Sequence, residues 1–397
     1  MYRSLFLLSS SVGALAAGPY STWMADSVIT RGDASGTGVS YETGVIQKSF
    51  EMVYNKTATA KYLNYITTQT NKMVSSSGVV SGFDLGYYSL DPIRQGEALI
   101  YAYEKTGQAK YKTAVTNSLR AQLNSQPRTP EGAFWHRSTY PNQQWLDGIY
   151  MADNFYATYT AKYNPTNTTA WYDHLNTIFG INSNLTHRSD IVKQYTLAEQ
   201  HLRNSATGLL YHGYDASGKA TWAAAGTGHS PEVWDRALGW YAMSLVDVLE
   251  WIPSSNAGRA TILSYFQRLA PALKNAADSS SGAWWLVMSQ PGKSGNYIES
   301  SGSSMFVYAL LKGIRLGFLD KATYFPVAEK AYKYIVKTFV VQESDGTLGF
   351  DGTVSVGSLS GNGDYAYYIS VAKKKNDLKG VGPFIMASVE YEKATGQ

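Results

Sequence analysis

Residues 132–156 read GAFWHRSTYPNQQWLDGIYMADNFY. A glycine followed at once by aromatic residues opens the stretch, and a polar loop fills its middle. An apolar run with helical spacing, Tyr150 to Tyr163, takes over at its end. The same opening recurs as Gly82-Phe83 to Tyr88, Gly208-Leu-Leu-Tyr211, Gly282-Ala-Trp-Trp285 and Gly346-Thr-Leu-Gly-Phe350. Successive spacings from Gly82 are 50, 76, 74 and 64 residues. Further helical runs lie between them: Tyr41 to Tyr54, Gly96 to Lys105, Ala237 to Trp251, Met305 to Leu316 and Tyr324 to Phe339. Strands with period-two alternation are scarce. Two helices of about a dozen residues with their connections fill one spacing, so each Gly-aromatic segment is expected to end one helix hairpin and open the next. The repetition predicts an all-α fold closed into a ring. Its inner helices would be buried nearly all round, its outer ones amphipathic, and its loops at one end would converge on a cleft. Pro and Gly/Ser punctuation never marks a long linker, which gives one domain over 18–397.

Composition sets the surroundings. The chain has 397 residues, 44% hydrophobic and 16% charged, enough for a large core and too apolar for general disorder. Residues 1–17 read as a secretory signal: Arg3, an apolar Leu5 to Leu8 and the small-residue Ala14-Leu15-Ala16. With no later apolar stretch of membrane-spanning length, a secreted, extracellular protein is expected, a monomer that needs no membrane. Asn55, Asn167 and Asn184 head glycosylation sequons. Cysteine is absent, so stability must come from the core. The net charge of +4 is unclustered apart from Lys373 to Lys375, a run expected to be a solvated face, and nucleic-acid binding is not expected. Aromatics are abundant, 10 Trp, 31 Tyr and 13 Phe, and suit either an aromatic-rich core or a cleft for sugar rings.

Several side chains could carry chemistry, each with a plainer reading beside it. Asp147, just before an apolar helix, is placed to cap that helix. Alternatively its carboxyl, partly desolvated beside Trp145, would have a raised pKa and act as a proton donor. His136 and Arg137 share its loop. Arg236, between Trp234 and Trp240, could clamp a carboxylate while the rings stack on sugars, or form a salt bridge with Asp235 or Glu232. His212 could be a surface or hydrogen-bonded residue or a catalytic one, and Asp91, before Pro92, a cap. Tyr41 with Glu42 reads as an ordinary helix start. No G-x-S-x-G, H-E-x-x-H, P-loop or dinucleotide fingerprint occurs, and the six histidines show no i, i+4 pair, so no metal and no cofactor is expected. The remaining Asp, Glu, His, Arg and aromatic residues suit acid/base work on sugars.

Taken together, SYETGV at 40–45, LDPIRQGEALIYAYEKTG at 90–107, FWHRSTYPNQQWLDGIYMA at 134–152, LLYHGYD at 209–215, VWDRALGWYAM at 233–243 and ESSGSSMFVYALLKGIRLG at 299–317 resemble glycoside hydrolase family 105, the unsaturated rhamnogalacturonyl hydrolases. The likeness runs in order through most of the mature chain. It implies an (α/α)6 barrel whose partner is an unsaturated oligouronide. It also implies removal of a 4,5-unsaturated galacturonic acid from rhamnogalacturonan fragments, in pectin degradation. In that chemistry an acid protonates C4, water adds at C5, and the hemiketal opens and expels the neighbouring sugar. The resemblance assigns the general acid/base to Asp147 and an orienting carboxylate to Asp91. His212 and Arg236 would surround the unsaturated ring, with Tyr41, His136, Arg137, Trp145, Trp234 and Trp240 as further binding positions. Two departures bear on subsite preference: Arg137 stands where the family has Lys, and Asp235-Arg-Ala-Leu-Gly replaces Gly/Ala-Arg-Gly-Asn-Gly. The related unsaturated glucuronyl hydrolases share the fold and chemistry and stand as the alternative. A non-catalytic sugar-binding toroid is the alternative of another class. A glycanase with paired Asp residues is a third, against which no Asp-Asp dipeptide occurs.

Overall fold

A computed structural model describes residues 19–33, 35–166 and 190–397. The segment 1–17 and the sequons at Asn167 and Asn184 lie outside the described residues, whereas Asn55 is exposed on a helix. Helices alternate between two concentric layers. The outer layer holds α1 (Tyr20–Arg31), α3 (Ala60–Met73), α5 (Ala109–Ala114, continuing through Val115–Arg120 to Ala121–Ser125), α7 (Asp190–Leu202), α9 (Ala257–Ala276) and α11 (Lys321–Phe339). The inner layer holds α2 (Tyr41–Thr57), α4 (Gly96–Thr106), α6 (Leu146–Gly148, through a π turn Ile149–Asp153, to Asn154–Tyr163), α8 (Asp235–Val248), α10 (Ser300–Arg315) and α13 (Leu378–Thr395). A short α12 (Tyr365–Ser370) sits in the loop before α13. Each inner helix packs on the next, and α13 closes the ring on α2. This is the expected (α/α)6 barrel.

Burial separates the layers as the sequence requires. All of α8 and residues Ser300 to Gly313 of α10 are buried. In α9 the buried positions are Ile262, Tyr265, Phe266, Leu269, Ala270, Ala272 and Leu273, one stripe at helical spacing. The buried apolar residues form one cluster through the whole ring, with a satellite of Trp145, Trp222 and Leu359 among the loops.

The Gly-aromatic segments do what their spacing predicts. Gly82, Gly132, Gly208, Gly282 and Gly346 all adopt left-handed φ, between 71° and 102°, at the tip of a turn that follows an outer helix. Around them the chain pairs briefly with itself, as Val74 with Val80, Arg128 with Phe134 and Arg203 with Leu210, and as the strands Val340–Gln342 and Leu348–Phe350. A second two-stranded pair, β1 (Gln143–Trp145) with β2 (Gly213–Asp215), joins loops that are distant in sequence at the same end of the ring.

Candidate active site

The inner helices present their N-termini to that end. Tyr41 starts α2, Asp91 starts the 3-10 turn Asp91–Gln95 that leads into α4, and Asp147 is the second residue of α6. Asp235 and Arg236 start α8, Glu299 caps α10, and Asp377 caps α13. Helix N-termini carry unpaired N–H groups and the positive end of the helix dipole, so this mouth favours anions.

Strand pairing sets the central contact. Asn142, in the left-handed region at φ 62°, turns the loop into β1, whose Trp145 lies opposite Gly213. The Leu146 N–H then bonds to the His212 carbonyl at 3.0 Å, which fixes Asp147 beside that histidine. Asp147 Oδ2 lies 2.9 Å from His212 Nε2; the aspartate side chain is 14% exposed and the histidine 0%. On the other side of the ring, His212 Nδ1 lies 2.6 Å from the hydroxyl of Tyr368, a residue of α12. Neither Asp147 nor Asp91 caps its helix through its side chain, so the capping alternative is not what the fold uses.

The electrostatics of Asp147 differ from the sequence expectation. Burial alone pushes its carboxyl up, but the close approach of His212, then of His136 and a backbone N–H, outweighs it and holds the group below its ordinary value. Desolvation is the largest single influence, but the lowering ones together exceed it. Trp145 has its ring covered by His136 at 4.5 Å and Tyr140 at 4.7 Å.

Asp91 is held in place by its neighbours. Arg137 Nη2 lies 2.7 Å from its Oδ2, and His136 Nε2 lies 3.5 Å from its Oδ1. Burial pulls the His136 pKa down, so that ring is neutral near pH 7. Burial and Glu42 push the Tyr41 hydroxyl up, keeping it protonated, with Arg236 and Asp91 also within electrostatic reach. Tyr41, Asp91, Arg137 and Asp147 are the partly exposed groups of the predicted set.

Other predicted residues stand behind this surface. Trp240 is 1% exposed and stacks on Tyr150 at 4.8 Å in the ring core, so its helix turns it away from any sugar. Trp234 is also buried, against Tyr368, His212 and the Arg236 guanidinium. Arg236 makes no salt bridge to Asp235 or Glu232. Its guanidinium donates to the carbonyls of Val354 and Ser355 and to Ser301 Oγ, and Glu299 lies 4.0 Å away. It anchors the loop that walls the cleft. Glu299 completes the anchor by accepting from the N–H groups of Gly302 at 2.7 Å and Val354 at 3.0 Å. Burial and Glu299 hold Asp235 well above the carboxylate range, so it is a neutral acid. Any side chain at Gly302 would overlap the Asp235 carboxyl, which explains the glycine there.

Tyr368, Tyr140 and Glu299 were not singled out from sequence. The only signal for Tyr368 is the tyrosine-rich run Tyr365 to Tyr368 after a Gly/Ser loop. No cluster of three or more His, Asp or Glu suited to a metal ion occurs among the described residues.

The profile of Glycosyl Hydrolase Family 88 matches residues 21–395. A solved family 105 glycoside hydrolase from C. acetobutylicum ATCC 824 is 36% identical and superposes with a TM-score of 0.86 over 95% of this chain and 100% of that one. Protein Atu3128 of Agrobacterium fabrum is 36% identical over 210 residues, 51% of this chain and 89% of that protein. An unsaturated 3S-rhamnoglycuronyl hydrolase of Formosa agariphila is 27% identical over 117 residues, 30% of each chain. With that match across nearly its whole length, a helical ring of six hairpins and an Asp-His pair at its mouth, the chain belongs to the glycosyl hydrolase 88/105 family of unsaturated uronyl hydrolases.

Proposed function

We propose that the protein removes a terminal 4,5-unsaturated galacturonic acid from rhamnogalacturonan oligosaccharides by hydrating the C4=C5 bond, with Asp147 as the acid and base. The observation that carries this reading is the partly exposed carboxyl of Asp147, 2.9 Å from a buried histidine nitrogen, beside an Asp91 engaged by Arg137 and His136. Asp147 therefore takes the part of the proton donor and Asp91 that of an orienting carboxylate. Protonated Asp147 gives its proton to C4 while a water oxygen bonds to C5, and the carboxylate then takes a proton from that water. The hemiketal opens at the C5–ring oxygen bond, leaving a ketone at C5 and a hemiacetal at C1. Breakdown of that hemiacetal releases the neighbouring sugar, for a net uptake of one water. Because the unliganded enzyme holds Asp147 below its ordinary pKa, arrival of the uronate has to raise it. A second negative charge and the loss of solvent both act in that direction.

The helix N-termini and Arg137 supply the positive field that draws the uronate in. With a secretory leader, the place of action would be outside the cell. The test follows loss of the conjugated-alkene absorbance as the enzyme acts on lyase-digested rhamnogalacturonan. Loss with release of a rhamnose-ended product is expected. A second reading, removal of unsaturated glucuronic acid from glucuronyl-rhamnose fragments, draws on the partial likeness to the rhamnoglycuronyl hydrolase. It would replace the first if only such fragments, or glycosaminoglycan fragments, lost absorbance. Silence on every unsaturated substrate would sink both.

A further inference from the structure

We infer that Tyr368 is a positioning residue for the catalytic acid: its hydroxyl donates to Nδ1 of His212, fixing the ring proton on Nε2, the nitrogen that lies against Asp147. The inference rests on the reading of Asp147 as the acid and base.

Three observations carry it. The two contacts lie on opposite nitrogens of one ring, 2.6 Å to the Tyr368 oxygen and 2.9 Å to the Asp147 carboxyl. Tyr368 is 1% exposed, and among the described residues its hydroxyl has one hydrogen-bond partner, His212 Nδ1. The phenol is locked in place by stacking on Trp234, with centroids 5.7 Å apart, and by α12, whose first turn Asp364 caps at 2.8 Å.

The direction of the bond follows from satisfaction. If Nδ1 carried the proton, the phenol oxygen would accept it, and the phenol's own proton would be left buried without an acceptor. With the phenol as donor, its proton has an acceptor, and the Nε2 proton sits on the nitrogen that lies 2.9 Å from the Asp147 carboxylate oxygen, close beside it though off the hydrogen-bond line. Burial reinforces this by holding the phenol protonated.

The relay does not carry protons through the catalytic cycle. Asp147 gives one to carbon and recovers one from water, so nothing has to leave through the histidine. The relay's role is static. It supplies a hydrogen-bond donor that stabilises the carboxylate formed after protonation of C4, and it keeps that carboxylate facing the water. Without the hydroxyl, His212 can carry its proton on Nδ1 and present a lone pair to Asp147. That arrangement stabilises the protonated acid instead.

Asp147 is faced by His212 and His136, with Asp91 behind the latter; Tyr368 is faced by Asp147, Tyr367, Glu232 and Asp364. Replacing the hydroxyl alters none of these charges.

Tyr368→Phe, which keeps the ring and its stacking, is therefore expected to move the alkaline limb of the kcat/KM pH profile upward by about one pH unit. Turnover should fall while KM for the unsaturated uronate changes less than twofold. A limb that stays in place overturns the inference, whether activity is kept or falls evenly at every pH. Ring 15N shifts of His212 in the wild-type protein give a check independent of that variant's folding: a bare Nδ1 and a protonated Nε2 are expected, and the reverse overturns it. Asp147→Asn is assayed alongside. If it stays active, the acid assignment falls and takes this inference with it. If it is inert while the Tyr368→Phe limb does not move, only the inference about Tyr368 falls.

Discussion

A carboxyl that protonates carbon and then deprotonates water has to be stable in both forms, and the surroundings of Asp147 supply opposite influences for that purpose. Burial favours the acid; His212 and His136 favour the carboxylate. Asp147→Asn keeps the shape and hydrogen-bonding capacity but cannot give up a proton to carbon. Turnover of an unsaturated substrate should fall by at least about 10³-fold, with binding measured by calorimetry nearly unchanged; near wild-type turnover would dismiss the assignment. Trp240 tests the opposite claim. Trp240→Phe should leave KM within twofold of wild type and lower stability by about 2 kcal/mol, read by urea unfolding. A tenfold rise in KM would put the indole back in the cleft. At this scale the sequence was legible in part. Asp147, Asp91, Arg137 and His212 stand together as the family resemblance implies. Trp240 and Arg236 could not be placed from sequence, because one turn of helix decides whether a side chain beside a cleft faces it or the core. Arg236 found carbonyls more than a hundred residues away in the chain, and no local pattern announces such partners.

Among the elements, the five Gly-aromatic turns were the most legible. Glycine at a positive φ leaves a mark in sequence, and the aromatic residues after it mark where the chain re-enters the ring. Two of these turns separate backbone strain from crowding. At Gly346 an added methyl group would meet nothing, whereas at Gly282 it would run into the Lys330 side chain. Gly346→Ala should cost about 1–2 kcal/mol from the left-handed backbone alone. Gly282→Ala should cost more unless Lys330 swings away, and thermal unfolding of both variants reads the difference. Equal losses would mean that the lysine yields freely. The mouth strands and α12 were not legible. Three residues of β1 pair with three of β2 about seventy positions on, too short for alternation to show, yet that ladder is what places Asp147 against His212. The π turn at Ile149–Asp153 leaves no sequence signal either, although it lies directly under the acid.

Taken whole, the ring has a charged plug beneath its cleft. Arg94 from the turn before α4, Glu97 from α4, Asp247 from α8 and Lys312 from α10 are buried together, with the half-buried Lys48 of α2 beside them and Tyr308 and Asn154 bonding to the same Asp247. Six helices closing on an axis leave a centre that aliphatic side chains could also fill. The charges instead tie neighbouring inner helices to one register, because their partners lie on adjacent helices at one height. Lys312 Nζ lies 2.7 Å from Asp247 Oδ1, and Glu250 is a further partner. Burial pushes Asp247 up, but Lys312 in particular holds it below the carboxylate range. Its folded pKa is therefore lower than its unfolded one. The pair's contribution is present in full above the ordinary carboxylate range and is lost as pH falls through the folded value. Lys312→Met removes the cation, keeps most of the volume and strands a buried carboxylate, which should cost about 3–5 kcal/mol near pH 7. The sign of its pH dependence then reverses at this site. An unpaired buried Asp247 has a raised pKa, so the variant gains on the wild type as pH drops, because the acid can take up a proton and become neutral. Urea unfolding at pH 7 and pH 4 measures both, and a stability gap of the same size at the two pH values would show that Lys312 acts by packing rather than by charge.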